Sequence, residues 1–218
     1  MKTEQIHTAI KILRQEVSRW EPALVDGMAL EARDTYKILI TTILSLRTKD
    51  TLTEKIAPKL FAVADTPTAM LKLSATEITE LIYPVGFYRN KAKSILAVSR
   101  ILLDQHDGQV PDELDTLLAL PGVGRKTANL VLTAGFNKPG ICVDVHVHRI
   151  SNRWGYVKTK MPEKTEFALR DKLPSEYWLE YNRLLVVFGQ NLCTPVSPWC
   201  SKCKLVALCD QVSVTKHR

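Results

Sequence analysis

The sequence predicts an all-α protein, and three observations carry this. Apolar residues recur at steps of three and four along most of the chain. Ser, Thr and Asp stand where helices would start. One short segment alone alternates polar with apolar residues. In chain order, Ile6, Ile10, Leu13 and Val17 form the first helical face. Asp34 is placed to cap an apolar helix entered through Tyr36, Ile38, Leu39 and Ile40. Thr66-Pro67 sets a cap residue before a proline at the first helical position. Ser74-Ala75-Thr76-Glu77 has capping-box spacing ahead of Ile78, Leu81 and Ile82. Another amphipathic helix is read over 91–103. Pro111-Asp112 is expected to open a short helix ending near Ala119. Ser175 is expected to cap a segment through Leu192, with Tyr177, Tyr181, Leu184, Leu185 and Phe188 as its stripe.

The exceptional segment sets Ile141, Val143, Val145 and Val147 against Cys142, Asp144, His146 and His148. A period of two is a strand signal. No second segment offers itself as a pairing partner, so Asp144 is read as the cap of a helix through Arg149 and Arg153.

Composition sets wider bounds. The chain has 218 residues, 45% hydrophobic and 24% charged. That excludes a disordered or collagen-like chain and fits one large domain or two small ones. No apolar run reaches the ~18 residues of a membrane span. The opening residues MKTEQIHTAI lack the apolar core of a secretory signal, so a cytoplasmic location is expected. Lys and Arg number 30 against 23 Asp and Glu, a net charge of +7. This suits a polyanionic partner and equally suits a merely soluble basic protein.

Between two helical patterns lies Leu120-Pro121-Gly122-Val123-Gly124-Arg125-Lys126-Thr127-Ala128. Gly122 and Gly124 are expected to permit backbone turns and close ligand approach that side chains would hinder. The helix after them would begin with outward amides suited to a phosphate, and Arg125 and Lys126 add charge there. A bare Gly-x-Gly would mean only a helical corner. The full string is similar to the helix–hairpin–helix motif of DNA-binding repair proteins, which grips backbone phosphates without reading bases.

LPGVGRKTANLVL at 120–132 is followed by VDVHVHR at 143–149, and preceded by GFYRNKAKSI at 86–95 and LSLRTKD at 44–50. With the C-terminal cysteine spacing, this order resembles endonuclease III over nearly the whole chain. Members of that family are base-excision DNA glycosylases that also nick the strand. The resemblance implies a two-lobed helix–hairpin–helix glycosylase fold. A six-helix domain would span 28–138, with the helix–hairpin–helix at about 113–133. Residues 1–27 and 139–218 would form an iron–sulfur domain. A DNA cleft would lie between the lobes, with Lys126 and Asp144 facing each other across it. The implied partner is damaged double-stranded DNA bearing an oxidised or ring-saturated pyrimidine, bound by a monomer.

Lys126 matches the family's nucleophile. A neutral amine attacks C1′, the damaged base leaves, and the resulting Schiff base undergoes β-elimination on the 3′ side. Asp144 matches the catalytic carboxylate, which stabilises the oxocarbenium character of C1′; a plain helix cap is its bland alternative. Gly122, Val123, Gly124, Arg125 and Thr127 match the DNA-gripping hairpin. Arg47 stands where many members carry Gln to fill the gap left by a flipped nucleotide. Phe87 falls where the family inserts an apolar wedge, and core packing is its alternative. Val145 and His148 depart from the usual Thr and apolar residue of the family, and neither His146 nor His148 is assigned a catalytic role.

Cys193, Cys200, Cys203 and Cys209 place four thiols within 17 residues. Without an export signal, disulfides are disfavoured. Four thiolates suit either structural zinc or a [4Fe-4S] cluster, and chemistry alone leaves both open. The spacing resembles the cluster loop of endonuclease III, which implies [4Fe-4S]. Cys142 is read as a buried thiol. Lys202 and Lys204 are the candidate DNA contacts of this loop, because the interval 194–199 holds no Lys or Arg. Two rival functions remain at this stage. One is a monofunctional mismatch glycosylase, against which Lys126 argues. The other is a non-catalytic DNA-binding module with a structural metal.

Overall fold

The computed structural model describes residues 1–31 and 33–218, and the side chains of all but 29–32. Among the described residues there is no strand. The helices are α1 (Ile6–Val17), α2 (Leu24–Glu31), α3 (Thr35–Ser45), α4 (Asp50–Val63), α5 (Pro67–Met70) and α6 (Ala75–Ile82). They continue with α7 (Tyr88–Gln105), α8 (Leu114–Leu118), α9 (Arg125–Leu130), α10 (Val145–Arg153), α11 (Pro162–Lys172) and α12 (Trp178–Asn191). A π-helical turn, Val131–Gly135, prolongs α9.

Local chemistry starts several of these helices as expected. Asp34 Oδ1 accepts from the Lys37 amide at 3.0 Å, and Thr66 Oγ1 from the Ala69 amide at 3.2 Å. Ser74 and Glu77 close a reciprocal capping box at 3.2 and 2.7 Å. Two starts differ from expectation. The helix expected from Pro111-Asp112 begins only at Leu114. Asp112 is engaged elsewhere: Lys138 Nζ donates to its carbonyl at 3.0 Å and pairs with its carboxylate at 2.6 Å. Ser175 does not cap α12 but lies in a 3-10 turn, closed by the Tyr177 amide donating to Pro174 O at 3.0 Å.

The alternating segment is neither strand nor, before Val145, helix. Ile141, Cys142 and Val143 are all buried. The carbonyl of Cys142 accepts from Asn182 Nδ2 at 3.1 Å, so a side chain of α12 stands in for a partner strand. From Val145 onward the chain is the helix that Asp144 caps.

The chain divides into two compact units, Leu24–Lys138 and Met1–Ala23 with Pro139–Arg218. In the first, α3 is central: Ile38, Leu39, Ile40, Ile43 and Leu44 are all fully buried. Ile56 and Leu60 of α4 and Ile95, Val98 and Leu102 of α7 are buried beside it, and Ile78 and Ile82 of α6 are buried against α4 and α7. In the second, α1, α10 and α12 pack together through Ile6, Ile10, Leu13, Val147, Ile150, Leu185 and Phe188. Fully burying side chains of this size removes about 1.5–3 kcal/mol worth of apolar exposure each, before chain entropy is counted. No helix among the described residues is long and apolar enough to cross a membrane.

Candidate functional site

The glycine hairpin is a tight turn in which the Val123 amide donates to Leu120 O at 3.1 Å. The two glycines do different work. Gly122 sits at φ +78°, where a side chain would be strained, and a Cβ would also meet Ser94 Oγ at 3.0 Å. Gly124 sits at φ −99°, ψ 178°, extended backbone open to any residue. Nothing lies within 4 Å of where its Cβ would be. Its value is therefore an open face, beside a helix start that no side chain caps. Arg125 and Lys126 occupy the first turn of α9 and are half-buried. Val123 and Thr127 point inward, so any ligand contact they make goes through the backbone. Thr127 Oγ1 finds no hydrogen-bond partner among the described residues.

In the same unit, Arg47 and Phe87 come together. The Arg47 guanidinium lies 5.2 Å from the centre of the Phe87 ring. Both residues have left-handed backbones, at φ 51° and 58°. Phe87 is 57% exposed, which excludes core packing as its role. Gly86 makes the approach possible, since a Cβ there would lie 2.4 Å from Arg47 O.

Asp144 stands at the start of α10. Its Oδ1 accepts from the amides of His146 and Val147, both at 2.9 Å. Oδ2 has no hydrogen-bond partner among the described residues, so the carboxylate is held by one oxygen and offers the other. His146 Nδ1 contacts Arg149 Nη2 at 3.0 Å, and His148 Nδ1 contacts Thr165 Oγ1 at 2.7 Å. Burial pushes His148 below its ordinary pKa. Both imidazoles are thus tied into the helix packing.

The far end of α10 anchors the cysteine loop. Arg149 Nη2 donates to Gly189 O at 3.1 Å and Cys193 O at 2.9 Å, satisfying carbonyls at the end of α12. Arg153 donates to Thr194 O at 2.7 Å and Pro195 O at 2.6 Å, and its Nη1 lies 3.4 Å from Cys193 Sγ. The loop's return leg is fixed to the same place, with the Val212 amide donating to Arg153 O at 2.9 Å. Cys193, Cys200, Cys203 and Cys209 all line one pocket, walled by Trp154, Phe188, Leu192 and Trp199. Burial, reinforced by neighbouring thiols, pushes Cys203 up to about 11 and raises Cys200 and Cys209. Among the described residues no three His, Cys, Asp or Glu already form a metal-holding group.

Lys202 lies over the Trp199 ring at 4.5 Å, and Arg218 over the same ring at 4.0 Å. Lys204 is committed to the buried Glu16 carboxylate at 2.7 Å. Cys142 is buried in the core. Sequence reasoning missed Arg149 and Arg153 as anchors. It also missed Lys91, a buried lysine bonded to the segment that carries Arg47. The signal for Lys91 was its position on the apolar stripe of Ile95, Val98 and Leu102.

Comparison with known proteins bears on these groupings. Residues 40–175 match the family described as "HhH-GPD superfamily base excision DNA repair protein". The chain is 50% identical to endonuclease III of Thermotoga maritima over 177 residues, covering 81% of this chain and 83% of that one. It is 39% identical to endonuclease III of Escherichia coli K12 over 175 residues, covering 80% and 83%. Its structure is similar to that of an endonuclease III–DNA trapped covalent intermediate, an estranged-adenine complex. The TM-score is 0.87 at 32% identity, over 97% of each chain.

Proposed function

The chain belongs to the endonuclease III family of HhH-GPD base excision repair proteins, and from that premise we propose how its own residues carry the reaction. The protein is a bifunctional DNA glycosylase and abasic-site lyase. Its substrate is duplex DNA bearing an oxidised or ring-saturated pyrimidine. Lys126 is the nucleophile. Its neutral amine bonds to C1′ as the glycosidic bond breaks, and the base departs with the bonding electrons and takes up a proton. The adduct loses a proton from nitrogen and its C1′–O4′ bond breaks, O4′ taking up a proton, which leaves an open-chain Schiff base; this acidifies the C2′ proton, and loss of that proton expels the 3′ phosphate and opens the strand. Asp144 stabilises positive charge at C1′ through its free Oδ2. The observation that carries this reading is Lys126 in the first turn of α9, next to the open face at Gly124.

The hairpin backbone from Gly122 to Thr127, with Arg125, would hold DNA phosphates and position the strand without selecting a base. Arg47 and Phe87 enter the stack where the nucleotide is extruded, an opening that costs a few kcal/mol. Lys202 gives the cysteine loop a phosphate contact; Lys204, held by Glu16, contributes less.

Four soft sulfur donors around one apolar pocket fit a [4Fe-4S] cluster, and Cys193, Cys200, Cys203 and Cys209 would hold it. When bound, the cluster supplies a cross-link that fixes the loop, and the glycosylase reaction itself transfers no electrons. The enzyme acts as a monomer in the cytosol, where its DNA lies.

Incubation with lesion-bearing duplex and borohydride tests the reading. A covalent adduct is expected, and Lys126→Ala abolishes it. Base release without any adduct would instead indicate a monofunctional glycosylase, and no base release from any lesion would indicate a binding module. A colourless, zinc-loaded protein purified without oxygen would overturn the cluster assignment.

A further inference from the structure

Lys91 is a buried lysine. It is 6% exposed, it lies on the apolar stripe of α7, and among the described residues no acidic side chain pairs with it. Its ammonium spends all three protons on one neighbouring segment: Leu44 O at 2.6 Å, Leu46 O at 2.6 Å and Thr48 Oγ1 at 2.9 Å. The first two are carbonyls at the end of α3, where a helix favours a cation. Thr48 Oγ1 also accepts the Gly86 amide at 3.1 Å and donates to Leu46 O at 3.3 Å. The turn at 46–48 and the turn at 83–87 are therefore pinned to each other through one hydroxyl and one ammonium. Arg47 lies in the first turn and Phe87 in the second. Each holds a left-handed backbone, which is costly for a residue with a side chain and persists only where surroundings impose it.

We propose that Lys91, acting through Thr48, is a positioning residue that presets Arg47 and Phe87 as one rigid wedge before DNA is met. The inference rests on the reading of Arg47 and Phe87 as the pair that enters the base stack. A preset wedge spares the ordering of two loops during binding, so the joint acts when stacked duplex is opened. It has no task on single-stranded DNA, where no partner strand needs wedging.

The test compares two substrates. One is a lesion-bearing duplex, scored by single-turnover base release. The other is a single-stranded abasic oligonucleotide, scored by borohydride trapping. Lys91→Met and Thr48→Val should slow duplex base release by about ten- to a hundredfold while leaving single-strand trapping unchanged. Thr48→Ser, which keeps the hydroxyl, should restore the duplex rate. Should Lys91→Met fail to fold, Thr48→Val and Thr48→Ser still decide. Equal losses on both substrates, or an unchanged duplex rate in Thr48→Val, would overturn the proposal. Arg47→Ala and Phe87→Ala serve as the reference. If neither slows duplex base release, the wedge reading itself fails; if they do while Thr48→Val does not, only the joint fails.

Discussion

Asp144 and Arg153 close the two ends of one helix. Asp144 caps α10 through the amides of His146 and Val147, and Arg153, its last residue, grips the carbonyls of Thr194 and Pro195. The nine residues of α10, Val145–Arg153, rise about 1.5 Å each, a rod some 13–14 Å long. A carboxylate proposed for chemistry and a loop proposed for a cluster thus share one rigid element.

The first prediction concerns the carboxylate's double duty. Asn caps a helix about as well as Asp, and Ala does not. Asp144→Asn should therefore keep stability within about 0.5 kcal/mol of wild type while losing about a hundredfold in base release. Asp144→Ala should lose the activity and also about 1 kcal/mol of stability. Denaturant melts alongside single-turnover rates separate the two roles. Equal activity in Asp144→Asn and wild type would reduce Asp144 to a cap.

The second prediction concerns the loop. Arg153→Met keeps bulk but removes donors from two part-buried carbonyls. Hydrogen bonds from a charged group are worth about 1.5–3 kcal/mol each, and non-additivity keeps their combined loss on the order of 3 kcal/mol. The variant should bind less iron per chain and unfold at lower denaturant. Iron and sulfide assays with a urea melt check both. Wild-type iron content in Arg153→Met would mean the cysteines hold the loop without their arginine.

What could be read in the sequence, and what could not, follows the range of each interaction. The caps at Asp34, Thr66 and Ser74 were legible because their partners lie three residues on. The hairpin was legible because its parts are contiguous. Asp112 misled because Lys138 claims it from 26 residues away. The segment before Asp144 looked like a strand because its partner is a single side chain, Asn182. For Lys91 the apolar stripe of Ile95, Val98 and Leu102 marks burial, but not what the ammonium binds. Its partners lie 43 to 47 residues upstream, where nothing local points to them.

Burial of Lys91 has a consequence for pH. Desolvation lowers its pKa from 10.5 to about 8. Between those values the unfolded chain holds a proton that the folded chain has released, so wild-type stability rises with pH in that window. Lys91→Met lacks the titrating group. The difference between wild type and variant should therefore be flat below pH 8 and shift in favour of wild type from pH 8 to 10.5. Urea midpoints for both proteins across this range measure it. A constant difference would show that the three hydrogen bonds hold the ammonium charged throughout.

The two hairpin glycines give the sharpest contrast, because they predict opposite outcomes for one chemical change. Gly122 needs its φ of +78° and has Ser94 against it, so Gly122→Ala should cost about 1–3 kcal/mol of stability. Gly124 has ordinary backbone angles and empty space around it, so Gly124→Ala should fold with a loss within about 1 kcal/mol. If that space admits a DNA phosphate, the added methyl group sits where the phosphate must come. Binding to an abasic duplex should then weaken on the order of tenfold, the worth of one charge-assisted hydrogen bond. Affinity measured at fixed salt, beside thermal melts, places each variant. A stable Gly124→Ala protein with wild-type affinity would show that the open face at Gly124 does not receive the backbone.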